Sequence, residues 1–87
     1  MAASPRNAMV AVRFYTRRGC HLCDTAEAVL RAEQAHIPFR LDIFDIDADA
    51  DLTDLYSLLV PVTVLPNGDE LHYRVDPARL RAALATS

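Results

Sequence analysis

Val10-Ala11-Val12-Arg13-Phe14-Tyr15-Thr16-Arg17-Arg18-Gly19-Cys20-His21-Leu22-Cys23 is the stretch that decides the fold. Its first six residues alternate Val10, Val12 and Phe14 against Ala11, Arg13 and Tyr15, and they are rich in strand formers. Thr16 to Gly19 reads as a turn, with Gly19 supplying backbone freedom just before the first thiol. From Leu22 the period becomes helical: Leu22, Ala26, Val29 and Leu30 share one stripe, while Asp24, Glu27 and Arg31 face out. A Cys-x-x-Cys where a strand gives way to a helix is a redox signature rather than a packing one. The unpaired N–H groups and positive dipole end of the helix favour a thiolate at Cys20, and Cys23 stands one turn on, ready to resolve a mixed disulfide.

Outward from this motif, Pro38 disfavours helix at Ile37, so the first helix is expected to end near Ala35-His36. Phe39 to Asp45 reads as a second strand with Leu41 and Ile43 on its buried face, closed by the capping carboxylates of Asp45-Ile46-Asp47-Ala48-Asp49. A short helix from about Ala50 to Leu58 is expected to turn Leu52, Leu55, Tyr56 and Leu59 inward. Val62 to Leu65 and Glu70 to Val75 flank Pro66-Asn67-Gly68-Asp69, a strong hairpin signal. Asp76-Pro77 then gives an N-cap with proline at the first helical position, and Leu80, Ala83 and Leu84 form the stripe of a closing helix. The order βαβαββα implies a four-stranded mixed sheet with helices on both faces. Its first two strands run parallel through a right-handed crossover.

The chain has 87 residues, 52% of them hydrophobic and 24% charged, which fits one α/β domain over residues 10–85 behind a flexible lead-in at 1–9. No apolar run approaches the ~20 residues of a membrane span, and the first eight residues hold no signal-peptide core, so a cytoplasmic protein is expected. The net charge of −3 argues against a general nucleic-acid binder. All nine basic residues are Arg, whose forked guanidinium suits carboxylates. Two cysteines this close cannot staple a fold, and in a reducing compartment they serve catalysis or metal binding.

The element order, Phe14-Tyr15-Thr16 leading into Cys20-His21-Leu22-Cys23, and Val60-Pro61-Val62 opening the third strand resemble the glutaredoxins and the wider thioredoxin-fold group. Asp45-Ile46-Asp47 and the tail Arg74-Val75-Asp76-Pro77-Ala78-Arg79-Leu80 resemble, more narrowly, small bacterial glutaredoxin-like proteins. The resemblance implies a cytoplasmic thiol–disulfide oxidoreductase with Cys20 as nucleophile and Cys23 as resolving thiol. It also implies a cis Val60-Pro61 bond whose backbone edge meets the substrate, and a glutathione carboxylate at Arg17 or Arg18. Two departures stand out. His21 and Leu22 replace the usual proline and aromatic, and Tyr73-Arg74-Val75-Asp76-Pro77 lacks the usual glycine pair. Asp76 still offers a cap for the last helix. Glutathione and a flavoprotein reductase both stay open as the source of electrons, with no bound cofactor expected.

His21 is expected to add positive charge beside Cys20, against the alternative of a solvent-screened side chain. The dithiol is expected near ~−200 to −270 mV. Zinc wants four ligands, but His36 and His72 lie far from the cysteines in sequence, and an iron–sulfur cluster would need a second chain. The aspartates at 45, 47, 49, 51 and 54 fail as a calcium loop: counting from Asp47, the glycine position holds Leu52 and the glutamate position Leu58. The expectation is therefore a monomeric exchange enzyme, with no metal, acting on a protein disulfide or a small thiol substrate. Its rival is a non-enzymatic adapter of the same fold that docks a partner or holds a metal through the cysteine pair.

Overall fold

The structure is a computed structural model describing residues 10–86; the lead-in expected at 1–9 lies outside the described residues. The elements run β1 (Ala11–Thr16), α1 (His21–Gln34), β2 (Arg40–Asp45), a 3₁₀ turn (Ile46–Ala48), α2 (Ala50–Tyr56), β3 (Val62–Val64), β4 (Glu70–His72) and α3 (Pro77–Ala85). The strands form one mixed sheet in the order β2-β1-β3-β4. β1 and β2 are parallel, with Val12 beside Leu41 and Phe14 beside Ile43. β3 runs antiparallel to both its neighbours, with Tyr15 beside Val62 and Val62 beside His72.

The alternation along β1 divides the core in two. Val12 and Phe14 pack with Ala26 and Leu30 of α1 and with Leu80, Ala83 and Leu84 of α3. Tyr15 points the other way, to a second cluster with Ile46, Tyr56, Val62 and Val64, over which α2 brings Leu52. Helices therefore cover both faces of the sheet. Each helix begins on a side-chain cap. Asp49 Oδ1 accepts from the Asp51 and Leu52 N–H groups, Asp76 Oδ1 accepts from Ala78 N–H at 2.9 Å, and the Cys20 sulfur accepts from Cys23 N–H.

Four sequence expectations change. Ile43 is 41% exposed rather than buried, because β2 is an edge strand with no neighbour on its outer side. Leu55 is 61% exposed rather than inward. A two-turn helix meets the sheet along the Leu52–Tyr56 line, and Leu55 stands about 100° around the axis from Tyr56. Leu22 is 45% exposed, because the first turn of α1 projects past the buried stripe of Cys23, Ala26 and Leu30. Finally, β4 ends at His72 instead of Val75, since Tyr73 takes φ +67° and leaves the extended path.

Candidate active site

Strand direction brings the candidate residues to one end of the sheet. β1 ends at Thr16 beside Asp45, the end of β2. The start of β3 lies beside the ends of β1 and β4. The cysteine loop after β1, Asp47 after β2, Pro61 before β3 and Tyr73-Arg74 after β4 thus converge, although up to 57 positions separate them in sequence. Gly19 carries φ +71° with open space where a Cβ would stand, so conformation rather than crowding calls for glycine there.

Cys20 is the N-cap of α1 and partly exposed; Cys23 is 1% exposed. The two form a disulfide with Cα atoms 5.1 Å apart. Cys23 N–H donates to the Cys20 sulfur at 3.1 Å, so one of the helix's otherwise unpaired donors points at the outer sulfur. His21 is exposed on the first turn, and its carbonyl accepts from Thr25 Oγ1.

The Val60-Pro61 bond is cis, and Pro61 is fully buried. The Pro61 carbonyl accepts from Tyr73 N–H at 2.8 Å, which ties the loop before β3 to the loop after β4. Val60 N–H donates to the Tyr56 carbonyl at the end of α2.

The two arginines of the loop have different surroundings. Arg17 donates through Nε and Nη2 to both oxygens of Asp47, at 3.1 and 2.8 Å, and through Nη1 to the Ser57 carbonyl at 3.4 Å. This fork raises the Arg17 pKa and holds the Asp47 carboxyl below its usual range, the hydrogen bond being the chief cause on each side. Arg18 is exposed and makes no ion pair among the described residues. Asp76 uses a carboxylate oxygen to cap α3.

Sequence reading missed Tyr73. Its φ of +67° and the 2.7 Å bond from Arg74 N–H to the His72 carbonyl make a γ-turn of the uncommon, strained kind. For a residue with a Cβ such a conformation costs of order 1–3 kcal/mol. The phenol helps to hold it, donating to the Leu58 carbonyl at 2.7 Å. The visible signal was the absence of glycine from Tyr73-Arg74-Val75-Asp76-Pro77; nothing in the residue types indicated that Tyr73 itself would take the positive φ. Among the described residues, no cluster of three or more His, Cys, Asp or Glu is arranged to hold a metal ion, and no helix is long and apolar enough to cross a membrane.

A four-stranded mixed sheet with a Cys-x-x-Cys at the head of its first helix and a cis-proline facing that end of the sheet defines a thioredoxin-fold protein. The family model of the glutaredoxin-like domain (DUF836) matches residues 11–85, and the chain belongs to that family. It is similar to the structural genomics target protein XcR50 from X. campestris, at 41% identity and TM-score 0.68, covering 87% of this chain and 97% of that one. Protein Ne2328 from Nitrosomonas europaea matches at 34% identity and TM-score 0.73, covering 94% and 96%. Reduced thioredoxin pre-protein of Schistosoma mansoni shares the fold at 13% identity and TM-score 0.63, covering 93% and 81%. No curated protein matches the sequence.

Proposed function

We propose that the protein is a thiol–disulfide oxidoreductase in which Cys20 attacks and Cys23 resolves. One observation carries this reading: a partly exposed cysteine at the N-cap of α1 is disulfide-linked to a partner only 1% exposed. An outside disulfide reaches Cys20 far more readily than Cys23, which supports Cys20 as the attacking thiol and Cys23 as the resolving one. The Cys20 thiolate attacks one sulfur of the substrate disulfide, and the other sulfur leaves as a thiolate and takes a proton from water. Cys23 then attacks the Cys20 sulfur, releases the second substrate thiol and closes the internal disulfide. Two electrons have passed to the substrate. The helix N-terminus stabilises the anionic sulfur, and no other cofactor is required.

The electron donor in this proposal is glutathione or a flavoprotein reductase, and the setting is the cytoplasm. Arg18, an exposed guanidinium beside Cys20, and the exposed ring of His21 are the groups that would meet an anionic thiol, since Arg17 is engaged by Asp47. The test is turnover of a small disulfide by the wild type, Cys20→Ser and Cys23→Ser with each donor in turn. Loss of turnover in Cys20→Ser, and a trapped mixed disulfide at Cys20 in Cys23→Ser, are expected. Equal rates for wild type and Cys20→Ser with both donors would end the proposal.

A further inference from the structure

A cavity of about 290 Å³ opens beside the cysteine pair. Leu22, Thr25, Ala26 and Val29 of α1 form one wall, and the segment from Tyr73 to Val75 forms the other. Its volume, near the lower end of the ~300–1,000 Å³ of typical small-molecule pockets, has room for one large side chain. The lining is mainly apolar with one cation, Arg74. Arg79 and Arg81 are paired with Asp69 and Glu33, whereas Arg74 makes no ion pair among the described residues. In a chain of net charge −3, an unpaired guanidinium at the rim of an apolar hole is a local feature. The opposite wall is held in place: Tyr73 is pinned through its phenol to Leu58 and through its N–H to Pro61. Leu22 in the cavity wall is 45% exposed, so apolar surface continues out of the opening.

Position along the helix sets the reach. Thr25 and Ala26 lie five and six residues beyond Cys20, about 8 Å along the axis at 1.5 Å per residue. An extended peptide covers that distance in about two residues.

We infer that this cavity is a specificity pocket for protein disulfides. It takes an aliphatic or aromatic side chain two residues from the substrate's reacting cysteine, with an adjacent carboxylate held by Arg74. The inference rests on the exchange reading and names its substrate class. Arg74 offers that carboxylate a two-point, charge-assisted partner, and the apolar walls reward burial of the neighbouring side chain.

The test uses reduced Cys23→Ser protein and short peptides whose single cysteine is in mixed disulfide with 5-thio-2-nitrobenzoate. Attack by Cys20 on the peptide sulfur forms the protein–peptide disulfide and expels the coloured thiolate. A peptide with Phe two residues from cysteine and Glu beside it is expected to react at least about tenfold faster than its Gly/Gln counterpart. Arg74→Gln is expected to remove the preference for Glu over Gln. Thr25→Trp, which fills the cavity from an exposed position, is expected to remove the preference for Phe over Gly. Each readout is a ratio of two peptides on the same protein, so a general change in reactivity cancels. Equal rates for the two peptides, or faster reaction of the glutathione mixed disulfide than of the Phe/Glu peptide, would overturn the pocket while leaving exchange intact. Absence of reaction at Cys20 with every peptide would overturn the exchange reading itself.

Discussion

Arg17 and Asp47 are joined at two points, Nε to Oδ2 at 3.1 Å and Nη2 to Oδ1 at 2.8 Å, while the third arginine nitrogen reaches Ser57. One side chain thus ties the cysteine loop to the turn after β2 and to the end of α2, three residues before Val60. Removing the Asp47 carboxylate is expected to loosen the loop more than the fold. In Asp47→Ala, amide hydrogen exchange at residues 17–19 should quicken while the core of β1 stays protected. Uniform loss of protection, or none, would count against the clamp.

Glu33 is 7% exposed and takes a two-point bond from Arg81, at 2.6 and 2.9 Å, joining the end of α1 to α3. That hydrogen bond, more than the charge alone, holds the Glu33 carboxyl below its usual value. A depressed native pKa contributes stability that is complete above the unfolded value of about 4.3 and fades as pH falls through the native one. Glu33→Gln should therefore lower the urea midpoint at pH 7. The gap from wild type should close as the pH is taken below about 4.

Leu30 is fully buried between the sheet and α3. Leu30→Ala is expected to cost about 2–5 kcal/mol through lost burial and the cavity left behind. Denaturant unfolding measures it directly, and Leu55→Ala, at an exposed site, is the contrasting variant, expected within about 0.5 kcal/mol.

Asp76 caps α3 through Oδ1. Asp76→Ala should lose roughly 0.5–2 kcal/mol of stability and Asp76→Asn very little, because asparagine caps equally well. If Asp76 instead acted mainly by its charge toward a substrate, the asparagine variant would lose exchange activity while keeping its stability. The two measurements separate the roles.

Tyr73→Phe should cost about 0.5–1.5 kcal/mol for the lost bond to Leu58. Tyr73→Gly should be more stable than Tyr73→Ala by about 1 kcal/mol, since both lose the ring and only glycine is at ease at φ +67°. Thermal melts of the three variants rank them.

The change of period around Cys20, from alternation in Val12, Phe14 and Tyr15 to a helical stripe through Ala26 and Leu30, made the first half of the fold legible. It is a local signal that tertiary packing merely confirmed. Asn67-Gly68 marked the hairpin for the same reason, Gly68 standing at φ +93°. Ile43 was misjudged because alternation tells which face a residue points to and not whether its strand is central. Leu55 was misjudged because the stripe rule assumes a helix long enough to use its full width. In the site, both thiols could be read from residue types and spacing, while the cis bond at Pro61 came only from the family resemblance. The Arg17–Asp47 fork and the Tyr73 turn join residues 30 and 15 positions apart, to Asp47 and Leu58, and no short pattern carries either contact.

The bond from Cys23 N–H to the Cys20 sulfur gives the first turn of α1 a further property. In the proposed exchange cycle the acceptor is an atom whose charge changes with every electron pair taken up or given away. A thiolate draws that proton harder than a disulfide sulfur does. The Cys23 amide is therefore a built-in gauge: its proton chemical shift and exchange lifetime should step between two values as the protein cycles. A single backbone resonance would then report, without any label, what fraction of the molecules is loaded.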